Sequence, residues 1–111
     1  MSLITEPAAS LIADAMFALS APSRVQILGC LLDGPLAVGV ITEALAMEQS
    51  AVSHQLRVLR EAGLVKADRH GKHRHYAIAS DAVHELLVAA EHLARQQSGN
   101  ASQPAATGTG S

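Results

Sequence analysis

Apolar residues return at intervals of three and four along most of the chain, and the breaks in that rhythm divide it into segments. Leu11, Ile12, Ala15, Met16 and Leu19 mark a first helix over residues 8–19. Residues 20–23 form a turn, with Pro22 suited to the first position of the next helix, where a missing N–H is harmless. Val25, Ile27, Leu28, Leu31 and Leu32 make that second helix apolar around most of its circumference, which predicts the most buried helix of the set. Asp33, Gly34 and Pro35 end it, since glycine can close a helix and proline cannot continue one. A third, short helix is expected over 36–46, with Val40, Ile41, Ala44 and Leu45 inward.

The fourth segment differs in its polar face. Val52, Leu56 and Leu59 follow one another at spacings of four and three, so they stack on one side of a helix running from about Gln49 to Ala62. Ser50, Ser53, His54, Arg57 and Arg60 fall on the remaining circumference, with short hydrogen-bonding groups toward the N-terminal end and cations further along. Gly63 stands where a positive φ would close the helix. Leu64 to Arg69 and His73 to Ile78 then alternate as the arms of a β-hairpin with Gly71 at its tip. Ser80 or Asp81 caps a last helix through about Gln96, striped by Val83, Leu86, Leu87, Ala90 and Leu93. Two short helices joined by a tight turn are a helix-turn-helix, and a basic hairpin directly after the second of them is a wing. The predicted fold is mainly α with a β-hairpin wing, a winged helix-turn-helix. Residues 1–7 read as a flexible arm, 8–97 as one folded domain and 98–111, without a large apolar residue, as a disordered tail.

Composition changes this picture in two respects. Aromatic residues are only 2% of the 111, so the core must be built from Leu, Val, Ile and Ala, and so small a core gains from a dimer interface. Cys30 is the single cysteine, no signal segment opens the chain, and no apolar run approaches the roughly 20 residues that span a bilayer. A cytoplasmic protein without membrane association is the expectation.

Charge is segregated. The net charge is −2, yet residues 49–76 hold six cations (Arg57, Arg60, Lys66, Arg69, Lys72, Arg74) against the two anions Glu61 and Asp68, a local +4 that leaves −6 for the remainder. Four of the six histidines, His54, His70, His73 and His75, lie in the same segment. A weakly acidic chain can therefore present a phosphate-binding face. The major groove admits a helix, arginine can bond guanine through two donors, and Ser, Gln and His serve bases or phosphates. Ser50, Ser53, His54 and Arg57 are thus the candidate groove contacts, with Gln49 at the helix start. Arg69, Lys72, His73 and Arg74 are the candidate wing contacts to the backbone of double-stranded DNA. No nucleophile, base and orienting group cluster in any segment, which argues against an enzyme. Arg24, at a helix start, reads as structural.

The order of helices and hairpin, together with residues 21–24 (Ala-Pro-Ser-Arg), 49–56 (Gln-Ser-Ala-Val-Ser-His-Gln-Leu) and 59–65 (Leu-Arg-Glu-Ala-Gly-Leu-Val), closely resembles the ArsR/SmtB family of bacterial winged-helix regulators over about residues 8–96. Within it, the helix-turn-helix looks most like the actinobacterial nickel- and cobalt-sensing branch. The resemblance implies a homodimer through the first and last helices, binding an inverted-repeat operator as a repressor. It also implies control by a small signal such as nickel, cobalt or zinc. Metal-sensing relatives place ligands on the last helix as Asp-x-His followed ten residues later by His-x-x-His or His-x-x-Glu, completed by the second chain. Here Asp81, His84, Glu91 and His92 offer the same donor types in a displaced register, Asp81 and His84 being three apart and His92 only eight beyond His84. A Cys-x-Cys in the third helix is absent, and Cys30 reads as a core residue. His70, His73 and His75 form a further histidine group in the wing, which nearby phosphates would explain as simply. Two alternatives remain: a metal-independent regulator controlled by a partner protein, and an interaction adaptor that does not bind DNA.

Overall fold

The computed structural model describes residues 1–102. Eight elements follow in order: α1 (Glu6–Ala18), α2 (Pro22–Cys30), β1 (Leu36–Ala37), α3 (Val38–Leu45), α4 (Gln49–Glu61), β2 (Val65–His70), β3 (His73–Ile78) and α5 (Asp81–Ser102). The three strands form one antiparallel sheet in the order β1-β3-β2. Among the described residues no single helix is long and apolar enough to cross a membrane.

The core is where the apolar stripes of α2, α3 and α4 meet the base of the hairpin. Ile27, Leu28, Ile41, Val52, Leu56 and Leu59 are fully buried, with Leu31, Leu64, Val65, Tyr76 and Leu87 closing around them. The stripe of α4 is entirely inward, which fastens the helix and turns its polar side outward. α2 buries Ile27 and Leu28 but leaves Val25 exposed, so α4, with three buried residues, is the more enclosed of the two. Val40 of α3 is likewise exposed; Ile41 alone in that helix is fully inward.

Several boundaries differ from the sequence expectation. α1 begins at Glu6, two residues early, because the Thr5 side chain caps it by accepting from the Ala8 N–H at 3.4 Å and Pro7 fits its first turn. α5 continues through Ser102, past the expected end near Gln96 and into residues assigned to the tail; residues 103–111 lie outside the described residues. Leu36 and Ala37 are strand, not the start of α3, because they pair with Tyr76 and His75 of β3. A two-residue strand has no period of its own, so only its distant partner reveals it.

The hairpin is as regular as its alternation suggests. Val65 faces Ile78, and the ladder runs unbroken to His70 opposite His73, joined through Gly71, at φ 65°, and Lys72. Val65, Ala67, Arg69, Arg74, Tyr76 and Ile78 share one face, the one whose base enters the core. Lys66, Asp68, His70, His73, His75 and Ala77 share the other.

Candidate nucleic-acid interface

The exposed side of α4 carries Ser50, Ser53, His54, Arg57 and Arg60. No side chain caps its N-terminus, so its first-turn N–H groups are left for an external acceptor, the arrangement that suits a phosphate. Arg24 fixes this helix from behind: its Nη1 donates to Gln55 Oε1 at 2.9 Å, while its Nε donates to the Ala18 carbonyl at 2.6 Å. The arginine thereby ties α4 to the end of α1, the structural role its position suggests.

Between α4 and the wing lies a cleft of about 500 Å³ lined by Ser50, Ser53, His54, Arg57, Arg60, Arg74 and Tyr76. Three guanidinium groups thus border one open space, and none has an acidic partner among the described residues, where the ion pair found is Glu91–Arg95 at 3.7 Å within α5. Arg69 stands directly across the ladder from Arg74. Like charges so placed repel, a cost relieved when a polyanion lies against them.

The structure therefore brings Ser50, Ser53, His54, Arg57 and Arg74 together and sets Arg69 beside them on the same hairpin face. Gln49 sits at the open start of α4 and Lys72 at the wing tip, both outside the cleft lining. His73 is on the opposite hairpin face from Arg74. Sequence reasoning did not select Arg60 or Tyr76 for the site. Arg60 was visible on the polar face of its helix, but it adjoins Arg74 only after the wing folds back. Tyr76 is 8% exposed and lines the cleft from the sheet side.

The last-helix donors are spread out. His84 places Nε2 3.2 Å from the Leu32 carbonyl, His92 places Nε2 3.3 Å from Gln96 Nε2, and Glu91 pairs with Arg95. Eight residues of helix separate His84 from His92 by about 12 Å along the axis, too far for one ion. Among the described residues of one chain, no three His, Cys, Asp or Glu side chains are grouped to hold a metal. Asp81, His84, Glu91 and His92 of a single chain therefore do not fit a metal ion. Cys30, expected in the core, is only partly buried and is not among the core residues.

A buried helix-turn-helix with an outward cationic face and a basic wing defines a winged-helix DNA-binding protein. The chain belongs to the arsR family of bacterial regulatory proteins, whose description, "Bacterial regulatory protein, arsR family", matches residues 21–67. It is 50% identical over 90 residues to the HTH-type transcriptional regulator NmtR of Mycobacterium tuberculosis, covering 78% of this chain and 75% of that protein. Among solved structures, it is similar to the homodimeric winged helix-turn-helix DNA-binding domain of Mb0332 from Mycobacterium bovis, with a TM-score of 0.77, 31% identity and coverage of 87% of this chain and 93% of that one. It is also similar to the AntR antimony-specific transcriptional repressor, with a TM-score of 0.78, 28% identity and coverage of 88% and 89%. The protein is a DNA-binding transcriptional regulator of the ArsR/SmtB type.

Proposed function

We propose that two copies of this chain bind an inverted repeat in double-stranded DNA in the cytoplasm and repress the adjoining promoter. Gln49, Ser50, Ser53, His54 and Arg57 read the major groove, and Arg69, Lys72 and Arg74, flanked by His73, hold phosphates. The observation that carries this reading is the cleft in which Arg57, Arg60 and Arg74 converge beside Ser50, Ser53 and His54 without an acid to neutralise them. A second copy sets a second α4 at a fixed spacing, the geometry an inverted repeat requires. A transition ion such as nickel, cobalt or zinc is the proposed signal, resting on the imidazole and carboxylate donors Asp81, His84, Glu91 and His92 and on the family. Since one chain does not bring these donors together, the reading requires α5 of both copies.

Fluorescence anisotropy with duplex DNA from upstream of the protein's own gene, against a scrambled duplex, tests it. Specific binding should fall steeply as salt rises. Arg57→Ala should cost about 1–3 kcal/mol on the specific duplex and narrow its advantage, whereas Lys72→Ala should weaken both duplexes alike and lower the salt slope by about one. Equal, salt-insensitive binding to both duplexes would sink the reading in favour of an interaction adaptor. A footprint unchanged by nickel, cobalt and zinc would leave DNA binding standing and remove the metal signal.

A further inference from the structure

The outer face of the wing carries Asp68, His70 and His75, which have no part in the proposed DNA contacts, together with His73, which flanks those contacts. Asp68 stands opposite His75 across the ladder, and the adjacent pair on the same face is His70 opposite His73. Two neighbouring same-face pairs in an antiparallel ladder place their Cβ atoms within about 5 Å across the strands and about 7 Å along them. Three imidazoles and a carboxylate thus share one patch. The rings of His70 and His75 already meet, with centroids 4.6 Å apart at an interplanar angle of 79°. His75 is half-buried, and its Nδ1 is shielded from solvent with no hydrogen-bond partner. A shielded ring nitrogen without a protein partner is uncommon, and it leaves a position that a water or an ion can fill.

We propose that this face of the wing binds a late first-row divalent transition ion, such as Zn²⁺ or Ni²⁺, through His70, His75 and His73 with Asp68 beside them. The donor set is chemically suited: neutral imidazole is the favoured ligand for these ions, and a carboxylate completes a mixed nitrogen and oxygen shell. As the side chains stand, no three donors converge. Asp68, His70 and His73 are all exposed and turn without disturbing the core, while the ladder holds their backbone spacing constant. Arg69 and Arg74 project from the opposite face, which keeps the ion apart from the guanidinium charges of the cleft.

Calorimetric titration of Zn²⁺ and, separately, Ni²⁺ into the full chain without DNA tests this, with His ring NMR spectra recorded in parallel. His70→Ala with His73→Ala, both exposed positions, removes two donors without touching the core. His84→Ala with His92→Ala removes the last-helix donors and separates the two sites. The expected result is that the last-helix variant keeps a binding event that the wing variant loses by about tenfold or more in affinity. The His70 and His75 ring signals of the unaltered chain should shift or broaden with added metal. An unchanged titration in the wing variant, or His70 and His75 signals that ignore the metal, overturns the proposal and leaves any binding to α5.

Discussion

Arg24 does its work through geometry. Its planar fork donates at once to Ala18 and Phe17 carbonyls at the end of α1, at 2.6 and 3.5 Å, and to the Gln55 side chain on α4. Carbonyls at a helix end lack partners within the helix; the Phe17 carbonyl also accepts from Ser20, so Arg24 matters most to the Ala18 carbonyl. Arg24→Ala should cost about 2 kcal/mol, read as a lower midpoint in urea, and Arg24→Lys should not restore it because an ammonium cannot span three acceptors in a plane. An Arg24→Lys protein as stable as the parent would reduce the contacts to incidental ones. A structural role for this arginine was legible from its place at a helix start; its partners were not, because Gln55 lies 31 positions away. Arg60 teaches the converse: its helical face was evident locally, while its membership of the cleft depends on Arg74 arriving from β3.

At the scale of elements, α3 and α4 end in the same way. Met47 N–H bonds the Thr42 carbonyl at 3.1 Å and Ala46 N–H the Glu43 carbonyl at 3.4 Å; Leu64 N–H bonds Leu59 at 2.9 Å and Gly63 N–H bonds Arg60 at 3.0 Å. Each pair of bonds closes a helix through a left-handed residue. After α4 that residue is Gly63 at φ 79°, which is why the helix end was readable. After α3 it is Ala46 at φ 53°, a conformation that costs an alanine about 1–2 kcal/mol, so sequence signals for the turn were weak. Ala46→Gly should raise stability by roughly 0.5–1 kcal/mol, the relieved strain exceeding the extra freedom of the unfolded glycine. Ala46→Val should lower it. Thermal unfolding of both variants checks the pair, and a destabilised Ala46→Gly would contradict the left-handed cap. The turn sits inside the helix-turn-helix, so the same change reports on how firmly α4 is aimed.

At the scale of the whole molecule, α1 meets the core through Ala15, Ala18 and the following Leu19, while most of its larger apolar side chains stay uncovered within one chain. Leu11 and Phe17 are 71% and 74% exposed, Ile12 and Met16 are nearly half exposed, and only Ala18 is buried. Val88 and Leu93 on α5 are exposed as well, and the radius of gyration, 16.7 Å, exceeds the ~13 Å of a compact chain of this length. Apolar helix faces left in water are characteristic of surfaces that associate. Leu11→Glu with Phe17→Glu should turn a dimer into a folded monomer in sedimentation experiments, and operator affinity should drop by roughly 100-fold or more as the second half-site contact is lost. A variant that sediments as a dimer would place the interface away from α1. The sequence stripe on α1 was read correctly as apolar; that Leu11, Ile12 and Met16 face outward while Ala15 and Leu19 meet the core could not be read, since a period marks a face and not its partner.

Local order along the chain determined a good deal by itself. The three-four spacing of α4, the alternation of the hairpin, Gly63, Gly71 and the cationic stretch from Arg57 to Arg74 depend on near neighbours, and each has a direct physical meaning in helix, strand, turn or charge. The tertiary structure alone decided the rest. It made Leu36 and Ala37 a strand by setting them beside β3, and it gathered Arg57, Arg60 and Arg74 around one cleft. Those outcomes rest on pairs of residues that meet only after the chain folds, and spacing along a sequence carries no record of them.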